Sequence, residues 1–157
     1  MDRLRKSLIL LAVIAVPAAA HSMFVPPQTL CFASGSVTYR IDPAASAPDY
    51  RIKIASDAPR PDLRMTLVDR IETADFVLVD DFNSPDSTAC RSSAPIRTVK
   101  PDAGASNPDV TVVLTNDATA DYKLYVHSVR FSHQDAAALL AAMWKAAQRR
   151  ELAQVTR

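Results

Sequence analysis

The stretch from Asp121 to Arg150 constrains the chain most, because a strand feeds straight into a capped helix. Tyr122 to Phe131 is dense in aromatic and β-branched residues, which suit a pleated, mostly buried surface. Ser132 follows as an N-cap, with Asp135 at the third helical position near the positive end of the helix dipole. Ala136, Leu140, Met143, Trp144 and Ala147 recur at spacings of three and four and form an apolar stripe. Lys145, Gln148, Arg149 and Arg150 make the outer and terminal face. The expected fold is α+β: a single small domain, with a mostly antiparallel or mixed β-sheet and the C-terminal amphipathic helix packed on it. The 157 residues suffice for one core and are too few for two.

At the other end, Met1 to Lys6 is short and basic, Ser7 to Val16 is apolar, and Pro17-Ala18-Ala19-Ala20 supplies small residues. This pattern predicts a signal peptide over residues 1–20 and an exported domain over 21–157. The alternative is an inner-membrane anchor through residues 8–20, though that segment falls short of the roughly 20 residues a spanning helix needs. Membrane contact is expected only if the segment stays uncleaved. The alanine-rich apolar region has a bacterial character, which makes the periplasm the expected destination. Cys31 and Cys90 are the only cysteines, and two cysteines in an oxidising compartment pair. A structural disulfide is therefore expected, since no Cys-x-x-Cys redox spacing is present.

Between the termini, Ser36–Ile41 and Tyr50–Ile54 alternate apolar and polar residues and read as half-buried strands. Residues 22–36 read as irregular, with Pro26-Pro27 opposing helix and strand. Arg51 and Lys53 read as a solvated or edge-protecting strand face. Residues 61–73 fit either helix or strand; a strand from Leu63 to Val68, followed by a turn through Glu72, is favoured. Ala74 to Asp81 is apolar on both faces, as in a strand central to a sheet. A Pro/Ser/Asp-rich loop occupies about 83–109, interrupted by a short extended piece at Ile96–Val99. Asp109–Thr115 is a strand, read as hairpin partner of the Tyr122 strand. No internal repeat is evident. Tyr50–Ile54, a helix, then Ala74–Val79 resembles the strand–helix–strand unit of periplasmic envelope-assembly domains, without a diagnostic motif.

Gly35 and Gly104 are the only glycines. A glycine-rich phosphate cradle and a Gly-x-Ser-x-Gly nucleophile elbow are both ruled out by that count. The net charge of +1 falls to −1 when Asp2, Arg3, Arg5 and Lys6 leave with the leader, so no nucleic-acid partner is expected. Asp80 and Asp81 end an apolar strand, a place where α/β proteins put carboxylates. His127 lies on the strand face of Tyr125 and Val129. These three are the site candidates, against the plainer reading of a solvated strand end and a rim histidine. The three histidines show no zinc-ligand spacing, and no cofactor is expected. The favoured function is an exported, non-catalytic domain that binds a partner, such as another envelope protein, or assists envelope assembly. The alternative is a small periplasmic hydrolase or metal-dependent enzyme using Asp80 or Asp81 with His127.

Overall fold

Stretches with apolar residues at every second position supply the strands, and their order in space is not their order in sequence. The computed structural model describes residues 30–80, 88–91, 93–117 and 119–155. The expected signal peptide at 1–20 and Asp81 lie outside those residues. The strands are β1 (Leu30–Ser34), β2 (Val37–Ile41), β3 (Tyr50–Ala55), β4 (Leu63–Leu67), β5 (Phe76–Val79), β6 (Ile96–Pro101), β7 (Val110–Leu114) and β8 (Tyr122–His127), followed by helix α1 (His133–Val155). They form one sheet in the order β1-β2-β6-β3-β7-β4-β8-β5, curled into a half-barrel with α1 packed on it. The fold is α+β with a mixed sheet: β1 and β2 are antiparallel, and the six other pairings are parallel.

Several elements differ from the sequence expectation. Part of the irregular segment is β1, joined to β2 through Gly35-Ser36; Gly35 has φ 58°, the first position that a type II′ turn reserves for glycine. The extended piece inside the proline-rich loop is β6, which lies between β2 and β3 rather than outside the sheet. β7 and β8 are not a hairpin, because β4 runs between them and all three are parallel. No helix links β3 to β5; β4 and a 3-10 turn at Ile71–Thr73 do. β5, with apolar residues on both faces, is not central. It is the last strand of the sheet.

The sheet is interleaved. Each of β6, β7 and β8 slots between successive strands of the earlier series β2, β3, β4 and β5. A recurring residue pattern accompanies this, [Pro/Ala]-Asp-apolar-x-apolar at 48–52, 61–65, 74–78, 108–112 and 120–124. These are internal repeats that the apolar periodicity alone conceals. Each aspartate sits in the bend before its strand and grips one residue of the neighbouring strand twice. Asp49 grips Thr98, Asp109 grips Arg51, Asp62 grips Thr111, Asp121 grips Arg64 and Asp75 grips Lys123. In every case the aspartate N–H donates to that residue's carbonyl at 2.8 or 2.9 Å. The carboxylate in turn accepts that residue's N–H at 2.7 to 2.9 Å. The loops between strands repeat too: Asp42 and Asp102 each accept the N–H two residues on.

The core lies between the sheet and α1. Ile52, Met65, Leu78, Val99, Val110, Val112 and Leu124 are fully enclosed against Leu139 and the helix alanines. The expected cap is present: Ser132 Oγ accepts the Asp135 N–H at 3.1 Å, and the Asp135 carboxylate accepts the Ser132 N–H at 2.9 Å. The buried stripe is rotated from the expected one. Ala136, Ala137, Ala138, Leu139, Ala141, Ala142 and Ala146 are buried, Leu140, Met143 and Trp144 are half-buried flanks, and Ala147 is exposed. Small alanine side chains let helix and sheet approach, so the bulkier residues pack beside the contact line rather than on it. On the helix-free face, Arg51 and Lys53 stand in the middle of the sheet beside Lys100 and Thr111, so they protect no edge.

Cys31 and Cys90 form a disulfide across 59 residues of sequence, with Cα atoms 5.2 Å apart. The bridge ties β1 to the 3-10 turn Thr88–Arg91. By the chain-entropy argument, closing such a loop contributes about 4 kcal/mol. Among the described residues no helix is long and apolar enough to cross a membrane.

Candidate functional site

Of the sequence candidates, Asp80 and His127 both lie at the β5–β8 end of the sheet. Val79 and His127 are register partners and share a face. Asp80, the next residue, projects from the opposite face because successive side chains alternate. Asp80 is buried, and its Oδ2 accepts the Ser128 hydroxyl and the Arg130 N–H, with Arg130 Nε 3.5 Å away. Ser128 Oγ then accepts the Arg130 and Phe131 N–H groups at 3.0 and 2.8 Å. The Ser128 hydroxyl, and after it the Arg130 N–H and guanidinium, hold the Asp80 carboxyl below the usual carboxylate range. Asp80 is thus a brace for the turn that launches α1. His127 is exposed, its ring stacked on Tyr125 with centroids 6.4 Å apart. The Asp80 N–H donates to the His127 carbonyl at 3.3 Å, but the two side chains lie on opposite faces of the sheet. Among the described residues, no group of three or more His, Cys, Asp or Glu side chains is placed to hold a metal ion.

What this end of the sheet does offer is an open strand. β5 pairs with β8 on one side and with no strand on the other among the described residues. Val77 and Val79 leave 38% and 54% of their surface exposed, on the face shared with Tyr125 and His127. Phe76 and Leu78 turn inward, and Phe76 meets Phe32 with ring centroids 5.8 Å apart. The strand is therefore anchored through one set of side chains and presents the other set with its free edge.

A second concavity of about 260 Å³ lies where the end of α1 meets β2, β3 and β6. Arg97, Arg149 and Arg150 line it with Tyr39, Tyr50 and Asp49. Its charges are spent largely on the fold. Arg97 binds Asp49 Oδ1 and Arg149 binds Asp109 Oδ1, each at 2.9 Å, while the other oxygens of both aspartates grip the neighbouring strands. Arg149 also lies over the Tyr50 ring, 5.0 Å from its centroid. Burial, and then the neighbouring Tyr50, push the Tyr39 hydroxyl above its usual range.

No family model, curated protein or solved structure matches this chain. Function must therefore be read from these two places. The arginine-lined cleft is a seam that fastens α1 to the aspartate grips. Among the described residues no strand, ion pair or helix employs the open edge of β5 in the fold.

A residue-by-residue reading for catalysis passes over Val77 and Val79, since neither carries chemistry. The [Pro/Ala]-Asp-apolar-x-apolar repeat is the sequence signal nearest to it, since it marks where β3, β4, β5, β7 and β8 begin.

Proposed function

We propose that this is an exported, non-catalytic binding domain that engages a partner protein by adding a strand to β5. One observation carries the reading: of the two terminal strands, β5 is the parallel one, apolar on both faces, and among the described residues its outer edge is unpaired. Sheet edges of this kind are ordinarily blunted by charge, proline or a bulge, because their free N–H and C=O groups template pairing. Between Phe76 and Val79 none of these is present. Strand addition would use the main chain for affinity and the exposed valines for selectivity. Export is supported by the disulfide, which persists in oxidising compartments, and by the basic-then-apolar pattern of residues 1–20.

A photo-crosslinking residue introduced at Val79, with a control at the exposed Ala147, tests this in cells exporting the protein. Adducts are expected from position 79 and not from 147, on protein whose intact mass lacks residues 1–20. Equal labelling from both positions, or none from 79, would overturn the binding edge; retention of Met1 to Ala20 would overturn the cleaved leader.

A further inference from the structure

We propose that the partner segment is a parallel strand headed by an aspartate, which completes at Val77 the grip that the chain makes five times within itself. The inference rests on β5 being the binding edge and specifies what binds there.

After four of the five gripping aspartates, the residue two positions on is the one gripped by the next strand. Arg51 follows Asp49 and is held by Asp109; Thr111 follows Asp109 and is held by Asp62. Arg64 follows Asp62 and is held by Asp121; Lys123 follows Asp121 and is held by Asp75. Val77 follows Asp75 by the same two positions, so its N–H and C=O face the open edge. Among the described residues the next step of the staircase is vacant there. The group that satisfies both is an aspartate at the head of a parallel strand, N–H toward the Val77 carbonyl and carboxylate toward the Val77 N–H.

Side chains narrow the partner further. The gripped residues Thr98, Arg51, Thr111, Arg64 and Lys123 are polar, and they lie on the helix-free face. Val77 is apolar in that position, and so is Val79 beyond it. The incoming strand is thus expected to be apolar on both faces: Asp followed by three or so consecutive apolar residues. A second copy of this chain does not fit. Its other sheet edge, β1, is preceded by Thr29 rather than aspartate. Its own five strand-heading aspartates are already engaged.

The probe is a capped, fluorescein-labelled peptide, Pro-Asp-Val-Val-Ile-Val flanked by lysines, titrated against the full exported chain. Two control peptides carry Asp→Ala or the reversed sequence, and hydrogen exchange is followed at the Val77 and Val79 amides. Binding is expected, with both amides gaining protection; Asp→Ala weakens it about tenfold or more, as loss of a charge-assisted hydrogen bond requires. The reversed peptide should not bind. Val77→Pro removes the N–H that the aspartate takes and should abolish binding, while an unchanged urea midpoint shows the fold intact. If the Asp→Ala peptide binds as well as the parent and Val77→Pro defeats both, the edge reading stands and the aspartate inference is overturned. If the parent peptide fails to bind, or the two amides are already protected in the chain alone, the inference is overturned together with the open edge. A dimer of the free protein that Val77→Pro dissociates assigns the edge to a second copy and also overturns it.

Discussion

An aspartate one residue before a strand is short enough to fold its carboxylate back onto a main-chain N–H, the habit that makes Asp common at turns. Here the same reach is directed sideways, to the adjacent strand, and each contact is a charge-assisted hydrogen bond. Where hydrogen bonds lower a carboxyl, as at Asp49, Asp80 and Asp117, the protein is acid-sensitive in a definite direction. For Asp49, partial burial works upward, but the Thr98 N–H and Arg97 outweigh it and the carboxyl sits below 3.8. Asp80 is lowered by Ser128 and Arg130, and Asp117 by Thr119. A carboxyl depressed in the folded state contributes stability above its unfolded value and loses it as pH falls through the folded value. Stability from these groups is therefore complete at neutrality and declines only below about pH 4. Urea midpoints measured between pH 7 and pH 2 should show this fall, with a shallower acid limb for Asp80→Asn than for the parent; parallel limbs would contradict the role given to Asp80.

At the scale of the element, α1 shows how a correct boundary and cap can accompany a displaced buried face. Leu139 is the large side chain fully enclosed between helix and sheet, so Leu139→Ala is expected to cost about 2–5 kcal/mol. Trp144 is half-buried at the flank and should cost less, about 1–2 kcal/mol, because only part of its surface leaves water. Ala142→Leu should also destabilise, by about 1–3 kcal/mol, since a methyl-sized gap cannot take a larger group without moving the helix. Chemical denaturation of the three variants orders them. A larger loss at Trp144 than at Leu139 would restore the stripe read from spacing.

For the whole molecule, interleaving means that most strands find no neighbour within their own half of the chain. β3, β4 and β5 touch β6, β7 and β8, and β1–β2 is the sheet pair joined by a short turn. Residues 30–80 and 93–155 produced separately are therefore expected to lack sheet structure, and to regain it on mixing. Circular dichroism of each piece and of the mixture tests this; a folded isolated half would refute the mutual dependence. The parent should fold slowly for its size, because its pairings are remote in sequence.

Local chemistry was legible from the sequence wherever neighbours along the chain decide it. The Ser132–Asp135 cap, the alternation in β2, β3 and β4 and the turn at Ile71–Thr73 are all set within a few residues. So is the class of fold, since a period-2 pattern ending in a capped helix has little choice but a sheet under a helix. Cys31 with Cys90 was legible by elimination, there being no other cysteine to pair. What only the tertiary structure decided is which strand lies beside which. A run such as Phe76–Val79 carries no mark of whether a strand covers its second edge, because apolar faces fit a central strand and a binding edge equally. Ile96–Val99 was legible as a short extended piece, but not as an inner strand: flanking prolines read as loop until β2 and β3 supply pairing on both sides. Adjacency in an interleaved sheet is settled by contacts between distant residues, and only the repeated aspartates leave a trace of it in the linear chain.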